Sequence, residues 1–254
     1  MSTTNISAPV DREVCIEARD LTIGWEGEPP LLEHASFKVM RGEIFAMLGV
    51  SGSGKSTLMR CLVGLQKPLH GVVTGPGAPK LDAERPTFGV MFQHGALLGS
   101  ETVGENVALP LERWTDLPRE AIATIARAKL ELVGLEAAEH KLPSEISGGM
   151  RKRVAIARAM ALEPVLLFLD EPSSGLDPIT AAALDQLIAT LRTVLGLTVV
   201  LVTHDLGSVF AIADRCIMLD PETRAIIARG TPQELQANPD RHVRSFFTRS
   251  PRQC

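Results

Sequence analysis

The fold of this chain is decided by one short segment, Gly49-Val50-Ser51-Gly52-Ser53-Gly54-Lys55-Ser56. It matches the pattern GxxxxGK[ST], in which glycines let the backbone turn its N–H groups inward around phosphate oxygens. An apolar strand predicted at Glu43–Leu48 precedes the segment, and a helix predicted at Thr57–Gly64 follows it. The start of that helix adds partial positive charge. This order predicts a phosphate-binding loop, because a chance glycine-rich turn would not have both flanks.

The chemistry expected of this loop follows from its side chains. Lys55 should reach the β- and γ-phosphates of a nucleoside triphosphate, and the Ser56 hydroxyl should bind Mg²⁺. The loop residues predicted to contact nucleotide are Gly49, Ser51, Gly52, Ser53, Gly54, Lys55, Ser56 and Thr57.

A second apolar run, Val165–Leu169, ends in two carboxylates, Asp170 and Glu171. Asp170 is expected to hold Mg²⁺ through water. Glu171 is the candidate base or water-orienting residue. Adjacent acids at a strand end can also form a solvated turn, but a phosphate-binding loop in the same chain favours the catalytic interpretation.

A second anion site is predicted at Ser147-Gly148-Gly149-Met150, which begins a helix. Ser147 can cap this helix, and the two glycines expose backbone N–H groups. The basic triplet that follows, Arg151-Lys152-Arg153, could instead be a solvated face or a nucleic-acid patch. For the triplet alone, this second interpretation is favoured.

Composition restricts the class of protein. The 254 residues allow one large domain or a core with a subdomain. With 45% hydrophobic and 22% charged residues, the chain is neither disordered nor fibrous. A net charge of -4 argues against a chain-wide basic surface for nucleic acid. The four cysteines, Cys15, Cys61, Cys216 and Cys254, are scattered, so neither a disulfide framework nor a zinc site is expected.

The sequence shows no membrane span and no secretion signal. Its uncharged apolar runs are far shorter than the ~18 residues that cross a bilayer. The first residues, Met1–Arg12, are polar and lack an apolar signal region. The chain is therefore expected in the cytosol. If it acts at a membrane, it is expected to do so through a partner protein.

Alternating strands and helices predict an α/β core with a buried parallel sheet. A helical insert is expected at about residues 95–161, and a Gly/Pro-rich loop at Gly71–Pro86. A long helix should begin at the cap Asp177 and end at Gly196. Further strands are predicted at Val14–Ile23, Ala35–Val39, Phe88–Phe92, Leu197–Val202, Cys216–Leu219 and Ala225–Ala228.

Taken together, the ordered motifs resemble the ATP-binding subunit of an ABC transporter. They are the phosphate-binding loop, Gln93, the signature Ser147–Met150, Asp170-Glu171, Ser174–Asp177 and His204. The resemblance runs from Val14 to about Gly230, with Met150 where the family signature has Gln. It implies ATP and Mg²⁺ as cofactors and one nucleotide-binding domain at residues 12–249. That domain would have a RecA-like core, a small antiparallel β subdomain, the helical insert and a C-terminal tail at about residues 231–254.

The resemblance also implies roles for individual residues. Gln93 would contact Mg²⁺ or the attacking water and link to the membrane partner. Ser147, Gly148 and Gly149 would bind the γ-phosphate of the ATP held by the opposite subunit. Asp177 would cross the dimer interface, and His204 would position the γ-phosphate.

A narrower resemblance is to the ATPases of Mla- and Mce-type lipid transporters. It rests on Phe92–Leu98, Glu105–Leu111, Ser147–Met150, Asp177–Thr180 and Leu235–Asp240. It implies ATP-driven phospholipid transport by an ATPase homodimer with integral membrane permease subunits, at the cytoplasmic face of the inner membrane. An MCE-domain substrate-binding protein and a small STAS-type subunit are further candidate partners, and nucleic acid is not expected. The alternatives are another cargo, or a soluble ABC ATPase that acts on DNA or ribosomes.

Three features depart from the family pattern. The chain has no Tyr, so Trp25 is the candidate to stack on adenine, against the alternative of a core tryptophan. His94 stands where a small residue is common, and the connection from Gly71 to Phe88 is short. The permease dock is expected between Gln93 and Leu111. Its apolar candidates, which could instead pack only within the insert, are Ala96, Leu97, Leu98, Val103, Val107 and Leu109.

Overall fold

The computed structural model describes residues 13–75, 78 and 86–248 of the chain. Its strands are β1 (Val14–Ile23), β2 (Leu32–Met40), β3 (Ile44–Leu48), β4 (His70–Thr74), β5 (Phe88–Met91), β6 (Leu166–Asp170), β7 (Thr198–Val202), β8 (Arg215–Asp220) and β9 (Ala225–Gly230). Its α-helices are α1 (Lys55–Leu62), α2 (Val103–Trp114), α3 (Arg119–Leu132), α4 (Gly148–Ala159), α5 (Pro178–Leu195), α6 (Leu206–Ile212), α7 (Pro232–Gln236) and α8 (Arg241–Thr248).

A mixed sheet forms the core, in the order β5-β6-β7-β3-β8-β9 within the described residues. Its strand pairs are parallel except for β8 and β9. Every residue of β3, β6 and β7 is buried, as continuous apolar strands covered on both faces require. Parallel strands end at the same edge of the sheet, so the segments after β3, β6 and β7 lie close together there. The predicted α/β core is confirmed.

A smaller antiparallel sheet packs against this core, in the order β2-β1-β4 among the described residues. Its strand β4 shows that the prediction of a loop throughout Gly71–Pro86 was wrong. Val72 pairs with Arg19 and Val73 with Ala18, partners more than fifty residues away. The three residues between the two glycines, Val72, Val73 and Thr74, are too short a local signal to predict a strand. Residues 76, 77 and 79–85 of that loop lie outside the described part.

Helices α2, α3 and α4 lie between β5 and β6 in sequence and pack on one another. Their shared core includes Val103, Val107, Leu130 and Val154, all fully buried. The expectation that Val103 and Val107 face a membrane partner was therefore wrong, because both close the core of the helical insert. Leu98 is 47% exposed and keeps the docking interpretation open.

Helix α5 begins and ends as the sequence predicted. The Asp177 carboxylate accepts hydrogen bonds from the N–H groups of Ile179 and Thr180, and Gly196 ends the helix with a φ of 66°. The C-terminal segment contains α7 and α8, which the sequence prediction missed. Thr231 and Glu234 form a capping box at the start of α7.

In the part of the chain that the structure describes, no helix is both long and apolar enough to cross a membrane. Cys15, Cys61 and Cys216 are free, buried thiols, in agreement with the prediction that no disulfide framework involves them. Burial raises the pKa of the Cys216 thiol to about 12, so this group is a packing residue. Cys254 lies outside the described residues.

Candidate functional site

Lys55 is the first residue of α1, and its side chain reaches back to the start of the predicted phosphate loop. Its side-chain Nζ is buried and donates to the carbonyl oxygens of Gly49, at 2.8 Å, and Val50, at 3.0 Å. Burial lowers the pKa of Lys55, while the nearby charges of Glu171 and Asp170 oppose this shift. A buried cation held only by neutral carbonyls, next to two acids, is well placed to bind an anion.

The loop backbone requires glycine at its first position. A Cβ on Gly49 would lie 2.6 Å from both Leu219 O and Ser53 Oγ, which is an impossible contact. Gly54 precedes α1 with a φ of 87°, in the left-handed region that favours glycine. The hydroxyl of Ser53 is fully buried and has no partner among the described groups. An orphaned hydroxyl beside a buried lysine fits a phosphate ligand.

Ser56 and Asp170 come together although they are far apart in sequence. Ser56 Oγ donates to Asp170 Oδ1 at 3.2 Å. Burial raises the pKa of Asp170, and the hydrogen bond from Ser56 partly opposes that shift. Hydroxyl and carboxylate oxygens are the ligands Mg²⁺ takes, and a cation would offset the cost of burying this carboxylate. The residues present therefore fit a magnesium ion.

Glu171 follows β6 in an unusual backbone conformation. Its φ is 49°, which is rare for a residue other than glycine. The conformation is held from β7, because Glu171 N donates to Val202 O at 2.8 Å. Its carboxylate Oε1 lies 2.7 Å from His204 Nδ1. Strained residues of this kind cluster at active sites.

The signature segment begins α4, as predicted. Ser147 caps the helix by accepting from Met150 N at 3.2 Å. Gly149 is packed so closely that an added Cβ would lie 2.5 Å from Thr180 Cγ2. A Cβ on Gly148 would lie 3.7 Å from Leu176 Cδ2. The signature therefore packs against the segment after Glu171 of its own chain.

Asp177, predicted to cross a dimer interface, has a clear role within the chain. Its carboxylate caps α5, and the resulting hydrogen bonds, first that with the Thr180 side chain, lower the pKa of Asp177. The side chain lies at the surface. Asp177 is therefore the N-cap of α5 in this structure.

Gln93 is exposed, and its main-chain carbonyl oxygen accepts a hydrogen bond from Lys152 Nζ. Lys152 also donates to Glu171 O at 3.1 Å and Ser174 Oγ at 3.3 Å. The alternative of a solvated basic face was wrong for Lys152, which is 9% exposed. A signal was present in the sequence, because Lys152 precedes the apolar Ala155 and Ile156 by three and four positions on one helix face.

Trp25 lies in the turn after β1 and is 47% exposed, so the alternative of a core tryptophan was wrong. The end of β1 is close to the phosphate loop. A Cβ on Gly54 would lie 3.7 Å from Ile23 Cδ1 and 3.3 Å from Leu31 Cβ. The Trp25 ring is therefore borne by a turn beside the loop.

An open cleft of about 1340 Å³ lies beside the phosphate loop, between the segment after Glu171 and helices α5 and α6. It is lined by Ser51 from the phosphate loop, by Glu171 and Ser174, and by His204. The cleft therefore brings Glu171 and His204 to a surface that is open beside the phosphate loop.

Known proteins show the same organisation. Residues 32–174 match the protein family described as ABC transporter. The chain is 42% identical over 239 residues to the intermembrane phospholipid transport system ATP-binding protein MlaF of Escherichia coli strain K12, covering 91% of this chain and 88% of MlaF. It is also 42% identical over 229 residues to the methionine import ATP-binding protein MetN of Haemophilus influenzae strain 86-028NP, covering 86% of this chain and 65% of MetN.

A solved structure agrees with both sequence matches. The ATP-binding cassette MJ0796, described as a dimer in a post-hydrolysis state bound to ADP and Pi, superposes with a TM-score of 0.76 at 29% identity. The match covers 85% of this chain and 98% of that chain. The predicted ABC-type fold is confirmed, and the chain belongs to the ABC transporter family.

Proposed function

We propose that this chain is the ATP-hydrolysing subunit of a transporter that moves phospholipid. The observation that carries the hydrolytic part is the 2.7 Å contact between Glu171 Oε1 and His204 Nδ1 beside the phosphate loop. A carboxylate fixed by an imidazole next to a phosphate site can orient a water molecule and accept its proton. The MJ0796 relative, bound to ADP and Pi, supports this chemistry.

The loop residues bind the substrate. Lys55 Nζ exchanges its carbonyl partners Gly49 and Val50 for phosphate oxygens, while the inward N–H groups and the Ser53 hydroxyl hold the remaining oxygens. Trp25 stacks on the base. Ser56, Asp170 and Gln93 would hold Mg²⁺, which when bound neutralises charge on the phosphates.

Glu171 and His204 have different roles in the proposed hydrolysis. The side chain of Glu171 is 10% exposed and that of His204 is 65% exposed. The carboxylate is therefore sheltered, where it can take a proton from the attacking water. The imidazole lines the cleft, and its Nε2, the ring nitrogen that does not face Glu171, can donate to the γ-phosphate when both ring nitrogens carry a proton.

The complete site is formed by two copies of the chain. Ser147 and Gly149 are occupied with contacts inside their own subunit, at α4 and Thr180. In a homodimer, the start of α4 would present its N–H groups to the ATP bound by the other copy. Asp177 at the surface would meet that copy as well. The dimeric form of the MJ0796 relative supports this arrangement.

The similarity to MlaF along most of both chains supports phospholipid as cargo. The chain would then act at the cytoplasmic face of the inner membrane with integral permease subunits, an MCE-domain protein and a STAS-type subunit. The equal identity to MetN favours a second candidate cargo, methionine, although MetN is aligned over less of its length.

Copurification of the chain with its partners distinguishes phospholipid transport from methionine transport. The untagged membrane proteins that copurify with the tagged chain should include a permease, and mass spectrometry of the complex should find bound phospholipid. Reconstituted complex should release phosphate from ATP only with Mg²⁺. Stimulation by methionine with no bound lipid would favour the second cargo, and absence of ATP hydrolysis would contradict the proposed activity.

A further inference from the structure

Lys152 is a buried lysine whose partners are three parts of the nucleotide site. An ammonium group has three N–H donors and no acceptor. Here the acceptors are Gln93 O, Glu171 O at 3.1 Å and Ser174 Oγ at 3.3 Å. Donors and acceptors match in number, so the head group is fully satisfied. At an exposed surface, the side-chain entropy lost on ordering a lysine in this way would offset the small energy gained from its hydrogen bonds.

All three acceptors are neutral, so Lys152 is held by directed hydrogen bonds rather than by an ion pair. Burial lowers the pKa of Lys152, and the charges of Glu171 and Asp170 oppose that shift. Hydrogen bonds to all three acceptors use the three donors of the protonated head group.

One of the three acceptors is the carbonyl of the residue proposed to activate water. Glu171 has a φ of 49°, a conformation that must be stabilised by its surroundings. Its N–H is bound to Val202 O and its carbonyl to both Lys152 and the Ser174 hydroxyl, the latter at 2.9 Å. Lys152 therefore helps to fix the peptide from which the Glu171 carboxylate extends.

A second cation of α4 binds the segment that follows β5, which we call the Gln93 segment (Gln93–Ala96). Arg158 donates from Nη2 to Gly95 O at 2.5 Å and from Nη1 to Ala96 O at 2.7 Å. Ala96 also has a positive φ, of 49°. Two cations of α4 thus donate hydrogen bonds to this segment, and of these two only Lys152 also donates to Glu171 O.

We propose that Lys152 is a positioning residue for Glu171, which ties the orientation of the carboxylate to the carbonyl of Gln93 and to α4. The inference rests on the proposed function, because it assigns to Lys152 a part in the hydrolysis carried out by Glu171. Displacement of the Gln93 segment by a partner moves one of the three acceptors of Lys152. ATP turnover then depends on the position of that segment, whereas ATP binding at Lys55 does not.

The test uses the purified full-length chain with steady-state phosphate release and independent measurement of ATP binding. Lys152→Met keeps the length of the side chain and removes its donors. The kcat should fall about tenfold or more, while the Kd for ATP stays within about twofold, since one charged hydrogen-bonding group is worth about one to two powers of ten. Lys152→Arg, which restores donors, should recover part of the kcat.

Two further variants separate positioning from general damage to the fold. Ser174→Ala removes one acceptor and should lower kcat by a smaller factor, again with little change in ATP affinity. Arg153→Met is the matched control, because Arg153 lies on the same helix and its hydrogen bond goes to Val133 O, at 3.5 Å, in the helical insert. Its kcat should stay within about twofold of the wild-type value.

Each alternative outcome is decisive. Wild-type kcat in Lys152→Met would overturn the inference and leave the proposed function standing. Equal losses in Lys152→Met and Arg153→Met would overturn it too. If Lys152→Met does not fold, Lys152→Gln carries the same test, with two amide donors for three acceptors and an intermediate kcat expected. If the isolated wild-type chain is inactive, the same variants are compared in the reconstituted complex, and a wild-type complex without ATP hydrolysis would overturn both the proposed function and this inference.

Discussion

The Nδ1 atom of His204 lies 2.7 Å from Oε1 of Glu171, although 33 residues separate them in sequence. The contact joins the ends of two neighbouring parallel strands, β6 and β7. It leaves the imidazole largely exposed and the carboxylate sheltered. The pair therefore has one member that can meet phosphate and one that can hold water away from bulk solvent.

Replacing Glu171 with Gln tests the catalytic carboxylate. The amide keeps the shape and an oxygen for His204, but cannot take a proton, so kcat should fall by about 100-fold or more. ATP binding should persist, and a closed dimer should accumulate with ATP and Mg²⁺. Phosphate release and size-exclusion chromatography measure these effects. Near-normal turnover would remove Glu171 from the catalytic role.

Replacing Lys55 with Ala should act before the chemical step. The buried ammonium that binds phosphate is lost, so the Kd for ATP should rise at least tenfold by calorimetry. Lys129→Ala is a suitable control, because Lys129 pairs with Glu163 at 3.1 Å away from the loop. Unchanged affinity in Lys55→Ala would count against the phosphate-loop assignment.

Trp25→Ala should weaken ATP binding by about tenfold or more, because stacking on a base is worth roughly 1–3 kcal/mol. The chain has two tryptophans, Trp25 and Trp114, so fluorescence of a Trp114→Phe variant reports Trp25 alone. Its emission should change on saturation with ATP. Constant emission together with wild-type affinity in Trp25→Ala would place the base elsewhere.

Leu98→Glu and Val107→Glu form a matched pair for the permease dock. Leu98 is 47% exposed and Val107 is 0% exposed. A carboxylate at position 98 should leave the melting temperature within about 2 °C and block assembly with the permease, whereas one at position 107 should unfold the helical insert. Thermal melting and copurification separate these outcomes. Normal assembly and transport by a stable Leu98→Glu chain would exclude Leu98 from the dock.

Gly149→Ala tests whether this glycine is required by packing. The new methyl group would collide with Thr180 Cγ2, at 2.5 Å, so the variant should lose stability and ATPase activity. Adding Thr180→Ser removes that methyl group, keeps the hydroxyl and should restore much of the stability. If the double variant is stable but inactive, the signature glycine has a further role at the nucleotide.

The core and the phosphate site could be predicted because their signals are local. The loop Gly49–Ser56 lies between a fully apolar strand and a helix, and Asp177 and Gly196 bound α5 by cap chemistry alone. Strand β4 was not predictable in this way, because it depends on pairing with distant β1. The start of α7 was readable, since Thr231 and Glu234 have the spacing of a capping box.

The site shows the same division between local and distant causes. The residue types at Lys55, Asp170 and Glu171 were readable from their motifs. The positive φ of Glu171 was not, because it depends on contacts with β7 and with Lys152. The burial of Lys152 had only the signal of the apolar residues on the same face of its helix. Val107 looked like a docking residue for a related reason, since an apolar residue on a helix does not reveal which surface covers it.

Asn106 gives the exposed segment before α2 a preorganised shape. Its fully buried amide donates to the carbonyls of Leu98, Glu101 and Thr102 and accepts from Leu98 N at 2.8 Å. A partner that meets Leu98 therefore meets a backbone already ordered by folding, and little conformational entropy remains to be lost on association. Association at this segment should therefore not be slowed by a rearrangement of the backbone, and variants of Leu98 should change the dissociation rate constant more than the association rate constant.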